Sequence, residues 1–98
     1  MVTGVTTIDL DVRNPSGLHA RPAAVFVRTA NTFQADIKIE NLSAGTSPVN
    51  AKSIISVLSL GIRADHRVRI TSEGVDAATA VAELATLVTG GLGESLDP

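Results

Sequence analysis

Ninety-eight residues, 44% hydrophobic and 18% charged with a net charge of −2, suit one globular domain with a real core, too short for an enzyme built around an interdomain cleft. Two aromatic residues and the lack of a basic stripe argue against a nucleic-acid partner, and the absence of cysteine removes disulfides, thiolate chemistry and cysteine-based zinc sites. No apolar run approaches a membrane span and the Thr- and Asp-containing start is no signal peptide, so a cytoplasmic protein without membrane insertion is expected.

Ile8, Leu10 and Val12 alternate with Thr7, Asp9, Asp11 and Arg13, the pattern of a strand with one buried and one wet face. Asn14-Pro15-Ser16-Gly17 breaks it. Pro22 suits an early helical position, where backbone N–H groups lack intrahelical partners, and Ala23, Phe26, Val27 and Ala30 then form one apolar stripe. A helix is therefore predicted from about Ala20 to Asn31, with His19 at or beside its N-cap.

At such a helix end free N–H donors, here those of Ala20 and Arg21, meet the positive pole of the macrodipole, which favours a phosphate or another dianion. The same field disfavours a second positive charge on His19 and leaves a ring-nitrogen lone pair available for attack. Arg21 adds a planar fork of donors matched to phosphoryl oxygens. Nucleophile, anion hole and counter-charge thus fall within three residues. On this short pattern alone, a surface turn whose histidine merely caps the helix describes the residues as well.

Ala35, Ile37 and Ile39 alternate with Asp36, Lys38 and Glu40, a second half-buried strand. The polar stretch Asn41 to Pro48 reads as a loop or hairpin leading into a short strand over Thr46 to Val49, with Pro48 suited to a sheet edge. Ser53 and Gly61 bracket a helix of about two turns. It carries more apolar surface than it can turn inward: Val57 and Leu60 read as core, whereas Ile55 and Leu58 read as candidates for a docking patch. His66 reads as a solvated turn residue. Val68 and Ile70 between Arg67, Arg69 and Thr71 give a last strand, which Ser72-Glu73-Gly74 turns around. From Asp76, a candidate cap, Val81, Leu84, Ala85 and Val88 mark the longest helix, ended by Gly90-Gly91-Leu92-Gly93. This βαββαβα order predicts an α+β sandwich with helices on one face of a small sheet. Residues 1–90 are expected as one domain and 91–98 as a flexible tail.

With that order beside Gly17-Leu18-His19-Ala20-Arg21-Pro22-Ala23 and Ala51-Lys52-Ser53-Ile54, the chain closely resembles the HPr family of histidine-containing phosphocarriers of the bacterial phosphoenolpyruvate:sugar phosphotransferase system. The likeness runs from about Thr6 to Val88. It implies an open-faced β-sandwich, a four-stranded antiparallel sheet covered on one face by three helices. It further implies a carrier rather than an enzyme, monomeric and needing no cofactor or metal. The histidine matching His19 takes a phosphoryl group on Nδ1 from phosphorylated enzyme I and passes it to a histidine of an enzyme IIA domain. The arginine matching Arg21 shields the moving charge. The serine matching Ser53 is, in some bacteria, a target of HPr kinase/phosphorylase. Residues matching Ile54, Ile55 and Leu58 dock both partners.

Other expectations compete with this one. The wording of residues 41–48 is similar to HPr-like domains of the dihydroxyacetone kinase phosphotransfer subunit, which would change the acceptor. A regulatory binding module could act through Ser53 and the apolar patch with His19 idle. A small hydrolase or metal enzyme could combine His19 with Asp9, Asp11 or His66, although no Gly-x-Ser-x-Gly or HExxH motif occurs.

Overall fold

The computed structural model describes residues 4–96. Seven elements follow one another: β1 (Val5–Asp11), α1 (Ala20–Ala30), β2 (Asp36–Asn41), β3 (Val49–Asn50), α2 (Ile54–Leu58), β4 (Arg67–Glu73) and α3 (Ala77–Thr89). The strands form one antiparallel sheet in the order β1-β4-β2-β3. Three helices lie over one face, so the fold is the α+β sandwich expected from the element order, in the open-faced form that the resemblance implies.

Register decides what the helices cover. Ile8 and Ile39 both pair with Ile70, and Leu10 pairs with Val68, so these side chains share one face of the pleat. That face meets Phe26 and Ala30 of α1 and Leu84 and Val88 of α3 in a continuous buried cluster. Phe26, one of two aromatic residues, is fully buried and contributes on the order of 3 kcal/mol. The opposite face is polar. Asp9 and Glu40 flank Arg69, and Asp11 opposes Arg67. Arg69 donates to both carboxylate oxygens of Asp9, at 2.8 and 3.0 Å, and Arg67 donates to Asp11 at 2.9 Å. The hydrogen bond from Arg69 holds the Asp9 carboxyl below its ordinary range.

Several boundaries differ from the sequence expectation. The strand expected over Thr46 to Val49 forms at Val49–Asn50, because Asn41 ties the preceding residues into a turn. Its Oδ1 accepts from Ala44 N–H at 3.2 Å and its carbonyl from Thr46 N–H at 3.1 Å, while Thr46 Oγ1 accepts from Asn41 N–H at 2.9 Å. Ser72 and Glu73, expected in a turn, belong to β4, which is paired on both edges with Thr6 and Val5 of β1 and with Ile37 and Asp36 of β2. Two flanking ladders outweigh local turn preference. Asp76 sits at the N-cap of α3 without a capping bond from its side chain. Instead its carboxylate accepts from the N–H groups of Gln34 and Ala35 at 2.9 and 2.8 Å, joining the entry of β2 to α3. Those bonds, Gln34 first, hold Asp76 below its ordinary pKa.

Candidate functional site

The segment before α1 is fixed by packing rather than by regular structure. Gly17 has φ +60, and a β-carbon there would overlap the Ile62 carbonyl oxygen and sit 2.7 Å from Arg63 Cα. Leu18 is buried and donates its N–H to the Ile62 carbonyl at 3.1 Å. With Leu18 turned inward, the extended backbone at His19 (φ −135, ψ 153) turns the next side chain outward. His19 is exposed and occupies the N-cap of α1, yet its imidazole makes no capping bond. The ring is thus left free of the duty that a purely structural cap would give it.

Ala20 follows with φ +49, a left-handed conformation that costs a non-glycine residue about 1–2 kcal/mol. Nothing in an alanine signals this from sequence. The N–H groups of Ala20 and Arg21 have no hydrogen-bond acceptor among the described residues, Pro22 has no N–H, and no acidic side chain stands in the first turn. Arg21 is exposed and lines a cavity with Ala20, Pro22 and Glu94.

Glu94 is a site residue that sequence reasoning missed. Its carboxylate accepts from Asn14 Nδ2 at 2.8 Å, Ser16 N–H at 3.1 Å and Ser16 Oγ at 2.7 Å, bracing the turn that presents His19. Hydrogen bonding by Asn14, then by Ser16, holds its carboxyl below the ordinary range. Asn14 is fully buried, and its Nδ2 also donates to the Gly17 carbonyl at 2.9 Å. Within the stretch 91–98 expected as a flexible tail, Leu92 is buried in the core and Glu94 is anchored across the domain. Residues 97–98 lie outside the described residues.

His66 is also reassigned. It is half-buried, and two donors converge on its Nδ1: the Arg63 N–H and Asn41 Nδ2, both at 3.1 Å. Asn41 cannot be turned around, because its Oδ1 serves Ala44 and its Nδ2 also serves the Leu60 carbonyl at 3.1 Å. Nδ1 must therefore be the unprotonated nitrogen, with the proton on Nε2. His66 is a structural acceptor that fixes the Ile62–Arg63 backbone beneath Gly17 and Leu18, not a solvated turn residue. Its Nδ1, the Asp9–Arg69 pair and the Asp11–Arg67 pair are thus all committed elsewhere, and no His or carboxylate cluster able to hold a metal occurs among the described residues. The combination of His19 with Asp9, Asp11 or His66 is not assembled.

The short helix behaves as expected. Ser53 caps α2, its Oγ accepting from Ser56 N–H at 3.2 Å, and Val57 and Leu60 are buried. Ile55 is 78% exposed, and Ile54 and Leu58 are each 38% exposed. Leu58 shares a cavity of about 450 Å³ with His19, Ser16, Ile62 and Arg63, so the apolar patch adjoins the histidine. Ser53 is half-buried and does not line that cavity.

Comparison with known proteins places this geometry. Residues 6–90 match the family model described as the PTS HPr component phosphorylation site. The chain belongs to the HPr family. A phosphocarrier protein HPr from Buchnera aphidicola subsp. Baizongia pistaciae is 38% identical over 81 residues, covering 83% of this chain and 92% of that one. The crystal structure of HPr-C-His from Thermoanaerobacter tengcongensis superposes with a TM-score of 0.87 at 38% identity, over 93% of this chain and 99% of that one. A multiphosphoryl transfer protein of Escherichia coli O157:H7 is 39% identical over 90 residues, which is 92% of this chain but 24% of that protein. This chain thus spans about a quarter of the multiphosphoryl transfer proteins it matches. The HPr proteins it matches over most of their length, from Buchnera aphidicola and from Bacillus anthracis, are phosphocarrier proteins. No helix among the described residues is long and apolar enough to cross a membrane.

Proposed function

We propose that His19 is the phosphoryl acceptor, charged by phosphorylated enzyme I and discharged to a histidine of an enzyme IIA domain. The observation that carries this is the exposed His19 imidazole, free of any capping bond, at the mouth of α1 beside the N–H groups of Ala20 and Arg21, which have no acceptor among the described residues. A carrier must yield its phosphoryl group to a second protein, so the acceptor nitrogen has to stand in solvent where both partners reach it. Transfer needs in-line positioning and charge neutralisation rather than a metal cage. The first-turn donors and Arg21 provide the neutralisation. Ile54, Ile55 and Leu58 provide an apolar docking surface, which accounts for their exposure beside the site.

Ser53 is proposed as a second, regulatory phosphorylation position for HPr kinase/phosphorylase. A phosphate there adds about −1.5 to −2 charge at the start of α2, next to the docking patch, and repels acidic partners without unfolding the helix. The protein acts as a monomer in the cytoplasm, through a domain that the core residue Leu92 and the Glu94 clamp extend past residue 90.

Incubation with phosphoenolpyruvate and enzyme I, followed by phosphopeptide mapping, tests the acceptor. One acid-labile phosphate on His19 is expected, and its absence would reduce the chain to a binding module. The charged protein is then offered to a panel of enzyme IIA domains and a dihydroxyacetone kinase phosphotransfer subunit. Preferential discharge to an enzyme IIA domain is expected; preference for the kinase subunit would reassign the pathway.

A further inference from the structure

Arg63 was not singled out by sequence pattern, yet it lines the same cavity as His19, together with Ser16, Leu18, Leu58 and Ile62. Arg21 lines the neighbouring cavity, which it shares with the Glu94 carboxylate. No acidic side chain lines the His19 cavity. Arg63 is exposed and forms no ion pair among the described residues, whereas Arg67 and Arg69 are both held by aspartates.

The base of this side chain is fixed with respect to the His19 turn. Gly17 packs against Arg63 Cα, so closely that a β-carbon would not fit. The Ile62 carbonyl receives the Leu18 N–H at 3.1 Å, and the Arg63 N–H is received by His66 Nδ1 at 3.1 Å. These contacts are made by backbone atoms on the Arg63 side, which leaves the guanidinium uncommitted above a rigid platform. An unpaired guanidinium beside a nucleophile, with no carboxylate on its cavity wall, is suited to phosphoryl oxygens.

We propose that Arg63 is a second phosphoryl-binding cation, which engages the phosphoryl oxygens on His19 from the cavity the two residues share; this rests on the reading of His19 as the acceptor. In the transfer, the His19 lone pair forms the new N–P bond while the electron pair of the broken N–P bond returns to the donor imidazole. Arg63 neither gives nor takes a proton. It offsets charge on the oxygens as the group arrives and while it is carried.

The full chain is labelled with phosphoenolpyruvate and enzyme I and compared with Arg63→Gln and Arg63→Lys. Rates and the ³¹P titration of the carried phosphoryl group are followed. Arg63→Gln should lower the maximal transfer rate about tenfold, in line with one lost charge-assisted hydrogen bond, and shift the phosphoryl titration upward because the dianion loses a counter-charge. Arg63→Lys should recover part of both effects, with thermal unfolding unchanged in either variant. A rise in KM for enzyme I alone, with rate and titration unmoved, would overturn phosphoryl binding in favour of surface steering. Failure of the unsubstituted protein to take label would instead remove the acceptor itself and the Arg63 role with it.

Discussion

Glu94 and Ser16, 78 positions apart, are joined twice: Oε1 accepts the Ser16 N–H at 3.1 Å and Oε2 accepts its hydroxyl at 2.7 Å. The folded carboxyl is held below its unfolded value, so its contribution is fully present above the ordinary carboxylate range near pH 4 and is lost as pH falls through the folded value. Glu94→Gln should therefore be less stable than the parent at pH 7, with the difference shrinking as the solution is acidified. Thermal melts of both proteins as the pH is lowered check the sign. Asp76 and Asp9 are also held below their ordinary values, which is why the difference between the two proteins is the quantity to follow.

His19→Ala should abolish phosphoryl acceptance and leave the fold in place. The ring is exposed and makes no capping bond, so the stability change should stay within about 0.5 kcal/mol. Urea unfolding alongside the labelling assay measures both. A large loss of stability would assign the histidine a structural duty.

Gly17→Ala is the opposite case. Its left-handed φ and the contact with the 62–63 backbone make the substitution cost on the order of 3 kcal/mol. Destabilisation in urea together with a slower phosphoryl uptake per folded molecule is the expected pair of results, because the same turn sets the direction of His19.

On α2, Ile55→Glu and Leu58→Glu should weaken binding to enzyme I about tenfold or more while changing stability little. Leu60→Ala, two residues beyond Leu58 and buried, should do the reverse and cost about 2–5 kcal/mol. Calorimetric binding and unfolding on the three variants separate surface from core; inversion of this ranking would place Ile55 and Leu58 in the interior.

His66 should carry its proton on Nε2, and ¹⁵N shifts of the ring should show Nδ1 as the unprotonated nitrogen. His66→Leu removes the acceptor shared by Arg63 and Asn41 and should cost about 1 kcal/mol. A ring protonated on Nδ1 would contradict the bonding around Asn41.

Regular alternation and capping made most of this fold legible from the chain alone. Ile37 and Ile39 in β2, the stripe from Ala23 to Ala30, and Ser53 before α2 each combine a periodic pattern with a local physical cause, and each stands where the pattern puts it. Failures came where a distant residue overrules local preference. Ser72 has turn chemistry but is claimed by two neighbouring strands, and Asp76 has capping chemistry but is claimed by Gln34 and Ala35. At the site, His19 and Arg21 were readable because a helix start, a proline and a glycine lie within a few residues. Glu94 and Arg63 were not, since their significance depends on meeting residues 14 to 18 across the fold, and neither was His66, whose role depends on meeting Arg63 and Asn41. The positive φ at Ala20 was invisible for a different reason: it is imposed by the junction of turn and helix, not by the residue.

Strand order also governs when the site comes into being. β4 lies between β1 and β2, and its residues pair with partners some sixty positions away at Asp9–Arg69. Closure of so long a segment is entropically slow and belongs late in folding. The platform under His19 is built from residues 62–66 and clamped by residue 94, so it too waits for that closure. A nascent or partly folded chain would therefore display the imidazole without its surroundings, and competence to carry phosphate would arise together with the native sheet rather than ahead of it.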